Sequence, residues 1–319
     1  MQFETVLKKT SALFAAMVMM ITLWSFLHLP GASLPMVTFA FLSSAALCDI
    51  SSFNRRVRCC IRMVCGAAAA QFLIGITAAH PAAAIIVSTL FSFFILAVIP
   101  ERQNAIIVLI TGFLSLSAPS GVSAILNRCI DIGVAGIAVL TVTTAVNAFN
   151  PSGSSGPGQN YTFRQAAVIS AEIAVGVTVL KIFKHGQLVW VILTVLFIHL
   201  AETAQSSFED LVKQRIFATP LGILAGGLYL GCFNAVNYRM IYIVPFSGTA
   251  AFFMLYLKNN YFIFTFLFMF TLTVFTDWML GTNSRFHFTE IMFTRCAATA
   301  AGALLLLCGK NFMRREITV

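Results

Sequence analysis

Four arginines share a spacing that suits anion binding. Each stands near the start of an apolar segment, with a small or acidic residue three positions later and a small residue seven positions later. They are Arg62, Arg128, Arg215 and Arg295. Residues at these offsets lie on one face of a helix, so each arginine would head a close-packing face. Because guanidinium binds a carboxylate through two parallel hydrogen bonds, the pattern predicts an anion site.

A second interpretation of such arginines is that they extend from helix ends to the lipid headgroups. This interpretation is favoured for Arg55, Arg56 and Arg58, which follow one another closely before an apolar segment. For the four spaced arginines both interpretations stay open. Their recurring spacing favours the anion site, because a membrane helix keeps a cation that faces a cavity or a counter-ion.

The composition identifies the class of protein. Of the 319 residues, 59% are hydrophobic and only 10% are charged, whereas a soluble domain needs about 25% charged residues to cover its surface. The chain is therefore predicted to be an integral membrane protein in contact with lipid. Its net charge of +9 comes from basic residues at the ends of apolar segments, which is typical of membrane topology rather than of nucleic-acid binding.

Apolar segments about 20 residues long predict an all-α, polytopic fold with about twelve transmembrane helices. The predicted spans are 11–28, 33–49, 61–79, 82–99, 103–118, 127–148, 163–183, 187–203, 214–233, 238–257, 261–280 and 291–309. Lys and Arg concentrate at alternate ends of these spans, which predicts that both termini are cytoplasmic.

The two halves of the chain resemble each other. The tripeptide Ser-Ser-Phe occurs at 51–53 and again at 206–208, and MVTFAFL at 36–42 resembles ILTVLFI at 192–198, which aligns Thr38 with Thr194. The prediction is a first membrane repeat at 1–149, a Gly/Ser/Pro linker at 150–160 and a second repeat at 161–319. Because each repeat would contain six spans, the two would run in the same direction.

Polar side chains within the spans are candidates for proton coupling. No GxxxxGK[ST] motif is present, so an ion gradient is the predicted energy source. The candidates are Glu172, Asp131 and His199, since an apolar environment favours the neutral form of a carboxyl group. The alternatives are that Glu172 pairs with Lys181 or with a group on a partner helix, and that Asp131 pairs with Arg128 one turn earlier. His199 is expected beside Glu202 on one helix face.

The second half resembles the fusaric acid resistance protein-like family. The family pattern is a Trp-x-x-x-Thr span followed by an Arg-x-x-Gly-Thr-x-x-Gly entry to the next helix. The matching residues are Trp190, Thr194, Arg215, Ala218, Thr219 and Gly222, with Ala218 in place of the first Gly. Arg128 and Asp131 resemble a later Arg-x-x-Asp entry. The first half resembles the family loosely, with Leu34 in place of the Trp.

This resemblance implies a function. Family members include bacterial exporters of aromatic carboxylic acids, and plant aluminium-activated malate transporters are distant relatives. By resemblance, the chain would export a small organic anion across the bacterial inner membrane, with the four arginines, Thr38, Thr194 and Trp190 along the path. A periplasmic adaptor is implied by the resemblance alone. Many bacterial members carry a cytosolic domain after each membrane half, whereas only the short linker separates the halves here.

Two other functions stay open: a passive organic-anion channel and a non-transport assembly subunit. An enzyme is not expected, because no catalytic constellation or dinucleotide-binding loop is present. No cofactor is expected either. The eight Cys form no CxxC pair and no His cluster accompanies them, so no metal site is predicted. The sequence leaves the oligomeric state open.

Overall fold

A computed structural model describes residues 3–26, 34–117, 121–149, 160–184, 186–201, 207–233, 260–280 and 285–315. These residues form eleven α-helices and two short 3-10 segments, at Leu114–Ser117 and Gly186–Leu188. The helices are α1 (Phe3–Phe26), α2 (Leu34–Cys48), α3 (Phe53–Thr77), α4 (Pro81–Val98), α5 (Arg102–Phe113), α6 (Val122–Phe149), α7 (Phe163–Phe183), α8 (Val189–Ala201), α9 (Phe208–Phe233), α10 (Tyr261–Leu280) and α11 (Arg285–Arg315).

The helices follow the predicted spans. Eleven of the predicted spans overlap these helices, and α7 and α10 have the predicted bounds. The predicted span 238–257 and residues 150–159 of the predicted linker lie outside the described residues. Five helical segments in the described part of the chain are long and apolar enough to cross a membrane: 53–77, 81–98, 122–148, 163–183 and 292–310. The chain is thus an all-helical, multi-pass membrane protein.

Local sequence explains several helix boundaries. At the start of α7, the Thr162 hydroxyl accepts from the Gln165 backbone N–H while the Gln165 side chain accepts from the Thr162 N–H. Helix α4 begins with Pro81, whose missing N–H is not needed at that position. Pro220 lies inside α9 and cannot donate to the carbonyl of Ile216, so α9 has a point at which it can bend.

Two short helices form the interior. Every residue of α5 from Asn104 to Phe113 is buried, and so is every residue of α8 from Val189 to Ile198. A helix that is apolar on all sides belongs inside a bundle rather than at its surface. The two helices contact each other, and α8 is surrounded further by α7, α9 and α11. Helix α8 is therefore the element against which the polar residues of the second half are positioned.

Arg56 differs from the sequence-based expectation. It was expected to reach the headgroups, but it is 2% exposed. Its Nε donates to the Ile50 carbonyl at 3.1 Å, and its Nη2 donates to the carbonyls of Ile50 and Ser51 at 2.6 and 3.2 Å. Its Nη1 donates to the Thr144 hydroxyl at 3.3 Å. Arg56 thus fastens the turn between α2 and α3 to α6, which the sequence does not indicate.

The helix positions are compatible with the predicted repeat. Helices α2 and α8 begin 155 residues apart, as do α3 and α9. In the first half α2 and α3 contact α6, and in the second half α8 and α9 contact α11. The spatial relation of the two halves, and hence the parallel repeat, stays a prediction.

Candidate anion-binding site

One face of α8 carries the residues around which the candidate site is built. Trp190, Thr194 and Phe197 lie at offsets of four and seven residues, which places them on the same side of the helix. The guanidinium carbon of Arg295, from α11, lies 5.0 Å from the centroid of the Trp190 ring. The guanidinium carbon of Arg215, from α9, lies 4.9 Å from the centroid of the Phe197 ring. We call these five residues the arginine face of α8.

Small residues let the neighbouring helix approach this face. A Cβ atom added at Gly302 of α11 would lie 2.7 Å from the Val191 carbonyl oxygen and 2.9 Å from the Thr194 Cβ. Gly302 stands seven residues after Arg295, and Ala298, between them, is fully buried. On α9, Gly222 packs against the Phe266 carbonyl oxygen in the same way. The predicted close-packing face headed by an arginine is confirmed for α9 and α11.

Arg215 is the most unusual cation in the described part of the chain. It is 0% exposed, and none of its three guanidinium nitrogens makes a well-formed hydrogen bond to a described residue. The Tyr261 hydroxyl, at the start of α10, is close enough to interact with it electrostatically. A buried charged group without hydrogen bonds is strongly unfavourable, so this guanidinium has unused donor capacity inside the protein.

Several hydroxyl groups around Arg215 share this property. Thr219 lies one turn further along α9, and Thr265 lies one turn after Tyr261, close to its hydroxyl. The side-chain oxygens of Thr194, Thr219, Tyr261 and Thr265 are buried and make no well-formed hydrogen bond to the described residues, although the Tyr261 hydroxyl approaches Thr265 and Arg215. A hydroxyl both donates and accepts, so these groups provide neutral hydrogen-bonding capacity beside the guanidinium.

The structure brings Glu172 and His199 together. The His199 Nε2 and the Glu172 Oε2 are 2.9 Å apart, and the two side chains are 7% and 5% exposed. A Cβ atom added at Gly309 of α11 would lie 2.5 Å from the Glu172 Oε1, so this glycine leaves the space that the carboxyl group fills. Lys181, the expected alternative partner, instead donates to the Ala78 carbonyl at 2.6 Å. Glu202, expected beside His199, lies outside the described residues.

The first-half candidates do not join the arginine face. Arg62 is exposed on α3, and Arg128 is half-buried on α6. Asp131 is buried and interacts electrostatically with Arg128, in agreement with the alternative interpretation of this pair. Thr38 is buried on α2, which packs against α1, α5 and α6. The predicted site residues therefore form a compact set only in the second half.

Phe197 and Tyr261 were not predicted as site residues. Phe197 could have been found, because it stands seven residues after Trp190 and shares a helix face with Thr194. Tyr261 could not, since its position beside Arg215 depends on the packing of α10 against α9. Among the described residues, no group of three or more His, Cys, Asp and Glu side chains is arranged to hold a metal ion.

The region that contains this site matches a known family. Residues 173–309 match the model of fusaric acid resistance protein-like proteins. This match supports the assignment of the chain to that family. The match includes Trp190, Thr194, Arg215 and Arg295, and it ends at Gly309 beside Glu172. Comparison with curated proteins and with solved structures gave no match. The match to the fusaric acid resistance protein-like family indicates membrane transport.

Proposed function

We propose that the protein is a secondary transporter that exports small organic acid anions across the bacterial inner membrane, driven by the proton gradient. The observation that carries this proposal is Arg215, which is fully buried and makes no well-formed hydrogen bond to a described residue. The substrate carboxylate supplies that acceptor. The proposal includes cytoplasmic termini and a periplasmic adaptor.

The energetics of a buried arginine support a transient anionic partner. Placing an arginine at the centre of a bilayer costs about 2.5 to 3.5 kcal/mol on insertion scales. In Arg215 the flat side of the guanidinium rests on the Phe197 ring. Its N–H groups lie in the guanidinium plane, so a carboxylate can approach the edge and accept two parallel hydrogen bonds. A carboxylate therefore offsets the cost of burying this cation.

Aromatic rings near Arg215 favour an aromatic acid as substrate. The Phe197 and Phe268 ring centroids are 4.8 Å apart, and Phe264 stacks on Phe268 with centroids 6.2 Å apart. Rings at these separations attract one another in tilted and offset arrangements. An aromatic substrate whose carboxylate meets Arg215 would find the same ring surfaces within reach, whereas an aliphatic acid would gain less from them.

The Glu172–His199 pair is the proposed proton carrier. His199 lies nine residues after Trp190, which places it on the opposite side of α8 from the arginine face. Protonation of the pair would change the hydrogen bond between Glu172 and His199, and thus the position of α8 relative to α7 and α11. Since α8 carries Thr194 and Phe197 on its other side, this movement would reach the anion site. Pro220 leaves one helical hydrogen bond of α9 unmade, so α9 can bend there to release the anion.

The proposal is tested by uptake of labelled benzoate into proteoliposomes with an imposed pH gradient. The set comprises wild type, Arg215→Gln, the control Arg58→Gln and protein-free vesicles, which report the leak of neutral benzoic acid. Arg58 is exposed and donates to the Asn54 carbonyl, so its replacement repeats the chemical change away from the site.

We expect gradient-dependent accumulation above the leak for wild type and Arg58→Gln, and none for Arg215→Gln. Uptake that only equilibrates would identify a passive channel. No uptake above the leak for any anion of a broad panel would refute transport and leave the assembly-subunit interpretation.

A further inference from the structure

The charge around Arg215 carries a further inference, which rests on the proposed function. We infer that this site selects anions with one negative charge over anions with two. The geometry consists of one fully buried cation, the neutral Tyr261 hydroxyl beside it, the hydroxyls of Thr219 and Thr265 one helical turn further along α9 and α10, and separation from Arg295, the other charged residue of the arginine face.

The local formal charge is +1 in the described part of the chain. Tyr261, a neutral phenol, is the titratable group that interacts electrostatically with Arg215 there. Arg295 lies over Trp190, seven residues before Phe197, so the two stacked rings are about 10 Å apart along α8. Glu172 and His199 lie on the opposite side of α8. A single negative charge therefore neutralises the site.

The hydrogen-bonding capacity of the site also fits a single carboxylate. An ionised carboxylate has two oxygens with about four lone-pair positions. The guanidinium edge can satisfy two of them, and the hydroxyls of Thr219, Tyr261 and Thr265 can satisfy the rest without adding charge. A second carboxylate on the same ligand would meet hydroxyl groups and aromatic rings, with no cation to pair with it.

A second charge would thus be buried without compensation. In a medium of low dielectric constant an unpaired carboxylate is strongly disfavoured, whereas hydroxyl donors replace only part of its hydration. Two carboxylates on one benzene ring are also too close together to span the about 10 Å between the two stacked rings of α8. We therefore expect the dianion to be disfavoured by more than about tenfold, even when its ring matches that of a transported monoanion.

The test compares two ligands that share a ring and differ by one charge. Labelled isophthalate, a dianion at pH 7.5, and labelled monomethyl isophthalate, a monoanion, are each added to proteoliposomes of the full chain. Uptake into Arg215→Gln proteoliposomes is subtracted from each value as leak. Thermal stabilisation of the purified protein by each compound gives a second measurement that does not depend on permeation.

We expect uptake of the monoester to exceed uptake of isophthalate by more than about tenfold, and only the monoester to raise the melting temperature. Equal uptake and equal stabilisation would overturn the charge selectivity while leaving the anion-transport proposal intact. If neither compound is taken up and neither stabilises the protein, while benzoate is also inert, the proposed function fails and the charge selectivity fails with it.

Discussion

Both halves of the chain bury arginines, and Arg56 of the first half and Arg215 of the second differ in their hydrogen bonding. Arg56, in the first half, is 2% exposed and donates to two backbone carbonyls and the Thr144 hydroxyl. Arg215, in the second half, is 0% exposed and donates to no described residue. Each lies within the first two turns of a helix that begins at the Phe of a Ser-Ser-Phe tripeptide. Burial is the same in the two cases, but the hydrogen bonding is not.

This difference separates a structural arginine from a ligand-binding one. A buried cation whose donors are all used holds its neighbours together, and its removal leaves their acceptors unsatisfied. A buried cation whose donors are unused makes the empty protein less stable, and it is tolerated where function needs it. Other residues follow the same division, which allows matched substitutions in the two halves to be compared.

The largest difference is expected from Arg56→Met. This change leaves the carbonyls of Ile50 and Ser51 without their donor, so the free energy of unfolding should fall by about 3 kcal/mol. Detergent-solubilised protein would show this as a lower melting temperature. The exposed Arg58, changed to Met, is the control and should have little effect. Equal stability of the Arg56 variant and wild type would mean that its hydrogen bonds contribute nothing.

Arg215→Met should act in the opposite direction. It removes an uncompensated buried charge, so the free energy of unfolding of the ligand-free protein should rise by about 1 to 3 kcal/mol, while transport is lost. The same thermal measurement, run beside the proteoliposome assay, checks both effects. A variant that is both less stable and still active would contradict the division between the two arginines.

Glycines give a second matched pair. Gly309→Ala would push a Cβ atom to 2.5 Å from the Glu172 Oε1, whereas a Cβ atom added at Gly133 of α6 meets nothing within 4 Å. We expect Gly309→Ala to destabilise the protein by about 1 to 2 kcal/mol and to weaken proton-driven accumulation more than benzoate exchange at equal pH. Gly133→Ala should be neutral or stabilising by about 0.5 kcal/mol.

Comparison of gradient-driven benzoate uptake with benzoate exchange at equal pH measures the effect of Gly309→Ala on proton coupling. Unaltered coupling in Gly309→Ala would remove the role proposed for Glu172.

Threonines should show the smallest difference. Thr143 is buried and donates to the Val139 carbonyl at 2.7 Å, whereas the buried Thr194 hydroxyl makes no hydrogen bond to a described residue. Changing Thr143 to Val should lower the free energy of unfolding by about 0.5 kcal/mol, and Thr194→Val should raise it by about 1 kcal/mol and reduce benzoate uptake. Melting temperatures of the two variants give opposite signs if this account is right. If the melting temperature changes in the same direction in both variants, the Thr194 hydroxyl makes a hydrogen bond in the protein.

The sequence predicts much of the second half and little of the difference between the halves. The lengths of the apolar segments predict the first and last residues of α7 and of α10, because a membrane span must match the thickness of the bilayer. The offsets between Trp190 and Thr194, and between Arg295 and Gly302, identify helix faces, since they follow from helical geometry alone. These local regularities lead to two of the four arginines proposed for the site.

The remaining features depend on which helices become neighbours. Arg56 and Arg62 look alike in sequence, yet α6 covers Arg56 and leaves Arg62 exposed. The pairing of Glu172 with His199 joins residues from α7 and α8 and could not be chosen over Lys181 by spacing. Whether the N–H groups of a buried guanidinium find hydrogen-bond acceptors depends on tertiary contacts, and a spacing pattern carries no information on these contacts.

The most direct test of the central claim is the effect of benzoate on the melting temperature of the purified protein. If a substrate carboxylate accepts the hydrogen bonds of Arg215, increasing benzoate should raise the melting temperature of wild type and of Arg58→Gln. At a benzoate concentration of a hundred times the dissociation constant, the free energy of unfolding should rise by about 2.7 kcal/mol. The melting temperature of Arg215→Gln should not change. An equal rise in Arg215→Gln, or no rise in wild type with any of a broad panel of carboxylates, would contradict the account.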